Sequence, residues 1–232
     1  MPKQPANNPV NRKRIGLVIL VLGALAILLA WPKREAMPDT HRTVRQQILH
    51  LTLSSADDPV VVLGDSIVEA STLPRTLCGH AIVNAGLSGA STGSDLGSWL
   101  SGALVQRRAG LIVVALGTND ALGSVSQQVF ETRYGALLAQ LSALTPRLVV
   151  MTIPAVEARN NLTVDHRDAA MATINGYNAS LPALAKSGGA TLVALPAMSE
   201  SHTIDGVHLN SAGYAVWDAA LLQGAASICN SK

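Results

Sequence analysis

The chain has 232 residues, of which 48% are hydrophobic, 14% charged and 3% aromatic. That length supports one domain with a well-buried core plus a short appendage, and that composition excludes extended disorder. The net charge of +2 is unevenly placed: residues 1–36 hold six Lys/Arg and one acid, leaving eleven basic against fourteen acidic residues in 37–232. The larger part is slightly acidic and lacks the basic footprint of a nucleic-acid binder.

The first predicted element is a membrane segment. Ile15–Trp31 (IGLVILVLGALAILLAW) is free of charge and, as a helix, spans roughly 25 Å. Arg12, Lys13 and Arg14 precede it, and Lys33 and Arg34 follow. The denser basic cluster before the run predicts a cytoplasmic tail at 1–14, a signal-anchor at 15–31, and a domain on the periplasmic side of a bacterial inner membrane. A cleaved signal peptide, giving a secreted protein, is the alternative. Its cleavage site would be poor, because Leu28 and Ala30 precede Trp31 and Pro32 follows. In an oxidising compartment Cys78 and Cys229 form either a disulfide or two free thiols, and the sequence leaves both open.

Residues 32–56 read as a linker running into a leading helix, and 57–232 as the folded domain. Short apolar runs predict buried strands at Val60–Leu63, Ala81–Val83, Leu111–Leu116, Leu148–Ile153 and Thr191–Leu195. Helix-length stretches separate or follow them, at about 67–77, 94–108, 124–144, 166–186 and 211–225. This alternation predicts an α/β fold, a three-layer α/β/α arrangement around a central five-stranded parallel sheet. Function in such folds collects at the carboxyl ends of the strands.

Four segments fall there. Gly64-Asp65-Ser66 follows the first strand, where a Ser at a strand-to-helix turn exposes its hydroxyl beside a helix N-terminus; an ordinary N-cap is the alternative. Asn84-Ala85-Gly86-Leu87-Ser88-Gly89 follows the second, with glycines that offer unhindered N–H groups. Gly117-Thr118-Asn119-Asp120 follows the third, and Asn119 can aim an amide at developing negative charge or close an Asx-turn. Asp205-Gly206-Val207-His208 follows the fifth and can supply a base with its orienting acid.

Two other readings use the same stretches. Gly89-Ala90-Ser91-Thr92-Gly93 matches the G-x-S-x-G elbow, making Ser91 a rival nucleophile, although no strand ends directly before it. Asp65, Asn119, Asp120, Asp205 and His208 include the donor types of a metal-dependent phosphoesterase, but no HxH or HxxE spacing supports a cluster. A binding module without catalysis is a third reading. In a bacterial protein the sequons at Asn161 and Asn178 would carry no functional weight.

Taken together and in this order, GDS, NAGLSG, GTND and DGVH resemble the four blocks of the SGNH (GDSL-like) hydrolases, over about Val60 to the C-terminus. Spacing and length are similar to the small bacterial thioesterase/lysophospholipase branch. The resemblance implies a flavodoxin-like fold and a serine esterase acting on carboxylic esters or thioesters, with no cofactor and no metal. Carried over by position, Ser66 is the nucleophile, His208 the base and Asp205 its orienter. Ser66, Gly89 and Asn119 form the oxyanion hole. The chain departs from the pattern at Ile67, where Leu is usual, and at Leu209, where Pro is common. The implied substrates are small esters, lipids or acylated glycans, with segments 120–125 and 154–165 expected to line the acyl pocket. Members that deacetylate or O-acylate envelope polysaccharides use the same residues, so the sequence does not separate hydrolysis from acyl transfer.

Overall fold

The computed structural model describes residues 40–159, 162–199 and 201–229. In chain order the elements are α1 (Thr40–Ser54), β1 (Val60–Gly64), α2 (Ser66–Ala70), β2 (Thr76–Leu77), β3 (His80–Gly86), α3 (Leu96–Leu104) and β4 (Leu111–Ala115). There follow α4 (Thr118–Leu122), α5 (Gln127–Ser142), β5 (Leu148–Met151), α6 (Val164–Ser187), β6 (Ala190–Val193) and α7 (Ser211–Cys229).

The strands form one sheet of order β2-β3-β1-β4-β5-β6. β1 lies at its centre, parallel to β3 and β4, and all five of its residues are buried. A strand covered on both faces has no polar side, which explains the uninterrupted VVVLG and LIVVA runs. Alternate side chains divide between two cores. Val61, Leu63, Ile112, Val114 and Val150 pack with Leu49 and Leu53 of α1, Trp99 of α3, Phe130 and Tyr134 of α5 and Tyr177 of α6. Val60, Val62, Leu111, Val113 and Val149 pack with Ile67 and Val68 of α2 and Trp217 and Leu221 of α7.

Three expectations need correction. The sheet is not five-stranded and parallel: it has six strands, because β2 pairs antiparallel with β3 through Thr76–Ala81 and Leu77–His80. The helix expected at 67–77 stops at Ala70, and the chain turns extended at Ser71. Pro74 disfavours helical backbone at the residue before it, which frees this stretch to become an edge strand. Nor is the expected transmembrane helix found. No helix among the described residues is long and apolar enough to cross a membrane, and Ile15–Trp31 lies outside them. The two longest helices, α6 and α7, lie against the sheet and carry polar residues such as Asn178 and Asp218.

Cys78 takes part in a disulfide. The side chain of Cys229, for which the sequence leaves a disulfide or a free thiol open, lies outside the described residues, as does Asn161. The Asn178 side chain is engaged internally, accepting from Ile153 N–H at 2.8 Å and donating to its carbonyl at 3.0 Å.

Candidate active site

β1 ends at Gly64 and α2 begins at Ser66, so Asp65 is the helix N-cap and its carboxylate accepts from Ile67 N–H at 2.9 Å. This keeps the Asp65 side chain inward and leaves the Ser66 hydroxyl half-buried at the rim of the sheet. Burial pushes the Asp65 carboxyl up to about 6, against the lowering effects of the Ile67 N–H and of nearby His208.

The Ser66 hydroxyl meets the histidine of the last segment. His208 Nε2 lies 3.0 Å from Ser66 Oγ, across 142 positions of sequence, and His208 Nδ1 lies 2.7 Å from Asp205 Oδ2. The other oxygen, Asp205 Oδ1, accepts from the N–H groups of Val207 and His208 at 3.0 and 2.9 Å. Asp205 can only accept as a carboxylate, so Nδ1 carries the proton and Nε2 is left with a lone pair for the Ser66 hydroxyl. Partial burial opposes ionisation of Asp205. The bonds from the His208 side chain and from the two N–H groups outweigh it and hold the carboxyl at about 2. The imidazole and the Asp205 side chain remain 43% and 32% exposed, so the site opens to solvent on this side.

The two middle segments approach the same strand ends. Leu87 N–H donates to Gly64 O at 3.0 Å, tying the loop after β3 to the end of β1. Asn119, in α4, donates from Nδ2 to Ala90 O at 2.8 Å, so it grips the residue next to Gly89. Its amide has a second N–H to offer. Gly89 adopts φ +77°, a conformation L side chains rarely take, and is exposed. Among the described residues, the N–H groups of Ser66 and Gly89 donate to no protein acceptor.

The rival readings find other uses for their residues. Ser91 is not at a strand end; its Oγ accepts from Gly93 N–H at 3.2 Å in a local turn. Asp120 is fully buried and accepts from Thr92 N–H at 2.9 Å and Thr92 Oγ1 at 2.5 Å. Among the described residues no three His, Cys, Asp or Glu side chains come together as a metal-ligand set.

A model of the GDSL-like lipase/acylhydrolase family matches residues 62–216, which include all four segments. The chain belongs to this family. Solved structures agree in fold. A protein from Streptococcus pneumonia, described as a platelet activating factor, superposes with a TM-score of 0.63 at 24% identity, covering 87% of this chain and 98% of its own. A Bacteroides fragilis protein described as an acylhydrolase gives 0.65 at 19% identity, covering 84% and 100%. A catalytic mutant of an acetylxylan esterase from Geobacillus stearothermophilus gives 0.58 at 16%, covering 76% and 96%. No curated protein matches the chain significantly. None of these matches singles out the small thioesterase branch of the GDSL-like hydrolases.

Several residues around the site carry no sequence signal. Glu69 accepts from Ser88 N–H at 2.6 Å and lies 3.6 Å from Arg45, whose guanidinium also donates to Gly86 O at 2.8 Å. This clamp fixes the start of the Gly89 loop from α1 and α2. The segment expected to line an acyl pocket, 154–165, divides in two. Pro154 and Ala155 border a cavity of about 160 Å³ with Met171, Ile174 and Met198. Glu157 and Arg159 instead bind the loop that carries His208.

Proposed function

We propose that this GDSL-like hydrolase cleaves carboxylic esters through an acyl-enzyme on Ser66. The observation that carries this reading is the continuous path Ser66 Oγ, His208 Nε2, His208 Nδ1, Asp205 Oδ2, with its two links at 3.0 and 2.7 Å.

A serine hydroxyl is a weak nucleophile until a base takes its proton during attack. His208 is placed to do so, with Asp205 fixing the tautomer and stabilising the cation that forms. Attack of Ser66 Oγ on the ester carbonyl gives a tetrahedral oxyanion. The free N–H groups of Ser66 and Gly89 and the remaining Asn119 N–H are the donors for it. Collapse expels the alcohol, which takes its proton from His208, and leaves the acyl group on Ser66. Water then repeats the sequence, giving its proton to His208, and releases the acid and Ser66. The exposed imidazole leaves the leaving-group side open to a bulky alcohol such as a glycan hydroxyl.

Neighbouring chemistry supports the assignment of roles. Catalytic mutants of the acetylxylan esterase replace a serine, an aspartate and a histidine, the last two three positions apart. Asp205 and His208 have the same spacing here. The test is covalent labelling with a fluorophosphonate, followed by peptide mass mapping and a p-nitrophenyl ester series of rising chain length. The reading predicts one adduct, on Ser66, and parallel loss of ester hydrolysis; an adduct on Ser91, or hydrolysis unaffected by labelling, would overturn it.

A further inference from the structure

The loop that holds Asp205 and His208 has almost no apolar anchor at its start. Ser201 and Ile204 are exposed, and regular pairing is limited to the Thr203–Leu209 bridge. Two backbone bonds close its neck: Ile204 N–H to His208 O at 2.8 Å, and Asn210 N–H to His202 O at 2.9 Å. Beside the Arg159 bond to Ser201 Oγ and the His202 bond to Ala155 O, one carboxylate makes most of the bonds between this neck and the segment after β5. Glu157 Oε1 accepts from Ser201 N–H at 2.5 Å and His202 N–H at 3.3 Å, and Oε2 from Thr203 N–H at 2.9 Å and Thr203 Oγ1 at 2.5 Å.

The same residue grips the loop's tip. Glu157 N–H donates to Gly206 O at 2.8 Å. Gly206 lies between the acid and the base at φ +104°, and a Cβ there would come within 2.5 Å of Glu157 O. Glycine at this position therefore serves both the turn and the close approach of the two segments.

His202 completes the arrangement from below. The residue is 5% exposed, and both ring nitrogens face carbonyl oxygens: Nδ1 that of Ser199 at 2.9 Å and Nε2 that of Ala155 at 3.0 Å. The Glu157 carboxylate lies 3.3 Å from Nδ1, and the Arg159 guanidinium 3.6 Å from Oε2.

We propose that Glu157 is a positioning residue for the reaction, tying the Asp205–His208 loop to the segment after β5 and so setting the approach of His208 to Ser66. The proposal rests on the reading that Ser66, His208 and Asp205 carry the chemistry. Glu157 touches none of the reacting atoms and acts through the loop alone. Small errors in the distance between nucleophile and base reduce rate steeply while leaving ground-state binding intact.

The experiment uses the full chain with Glu157→Gln, and Thr203→Val as a milder variant that keeps the carboxylate and removes one donor. Steady-state hydrolysis of p-nitrophenyl acetate is measured beside amide hydrogen exchange across 201–210 and across β1 and β4. Glu157→Gln is expected to lower kcat by about tenfold or more with KM within about twofold, and Thr203→Val by about threefold. Exchange should accelerate at 201–210 and stay unchanged in β1 and β4. A kcat within twofold of wild type overturns the proposal, as does faster exchange shared equally with the sheet. Should Glu157→Gln not fold, an unchanged kcat and unchanged loop exchange in Thr203→Val overturn it. Ser66→Ala run in parallel separates the two claims: its retained activity would defeat the Ser66 reading, and the loop-exchange result still decides the tether.

Discussion

Asp120 holds Thr92 by both of its donors, the backbone N–H at 2.9 Å and the hydroxyl at 2.5 Å, inside a site where neither residue meets solvent appreciably. The contact joins α4, which carries Asn119, to the loop that carries Gly89. Two groups assigned to the oxyanion are thus held relative to one another by a buried carboxylate that touches neither.

Replacing Asp120 by Ala removes both acceptors and leaves the Thr92 N–H and hydroxyl buried without their partner. A buried donor left unsatisfied costs about 1–3 kcal/mol. Urea denaturation of Asp120→Ala should show a loss of at least that size, and kcat for ester hydrolysis should fall with it. Unchanged stability would mean that Thr92 finds other partners.

Asn119→Ala removes a proposed oxyanion donor and the bond to Ala90 O. Loss of one such donor reduces rate by about 10²–10³. The account predicts a fall of that size in kcat with little change in KM, measured on p-nitrophenyl acetate. A change confined to KM would mean that Asn119 contributes only to ground-state binding.

Asp65 has the opposite electrostatics to Asp205. Burial raises its carboxyl to about 6 from an ordinary 3.8. A group with a raised value binds its proton more tightly when folded, so its contribution is fully present below about pH 4 and is lost as pH rises through 6. Asparagine can cap α2 through the same bond to Ile67 N–H without carrying a charge. Asp65→Asn should therefore gain up to about 3 kcal/mol relative to wild type at pH 8, with no gain at pH 4. Thermal melts of both proteins at the two pH values give the comparison; an equal difference at both would refute burial as the cause.

How much of this was legible depends on what each residue answers to. β1, β4 and β5 are visible in sequence because burial on both faces leaves unbroken β-branched runs. β2 is invisible: two residues at a sheet edge, one of them exposed, impose no pattern. The segments containing Ser66, Gly89 and Asn119 stand out because each lies at or just after a strand end, and the Asp205–His208 segment because it pairs an acid with a histidine three positions on. Glu157 and His202 do not, since their partners become neighbours only when β5, β6 and α7 bring two loops together. Asp120 belongs to the same segment as Asn119, but its burial and its bonds to Thr92 are visible only in the fold.

The most direct measurement is the rate of p-nitrophenyl acetate hydrolysis by Ser66→Ala against wild type, with correct folding of both established by their melting curves. The account predicts a fall in kcat/KM of at least about 10⁴, at unchanged fold and unchanged Cys78 disulfide. Hydrolysis within an order of magnitude of wild type would contradict it, because a hydroxyl 3.0 Å from His208 Nε2 would then be a bystander.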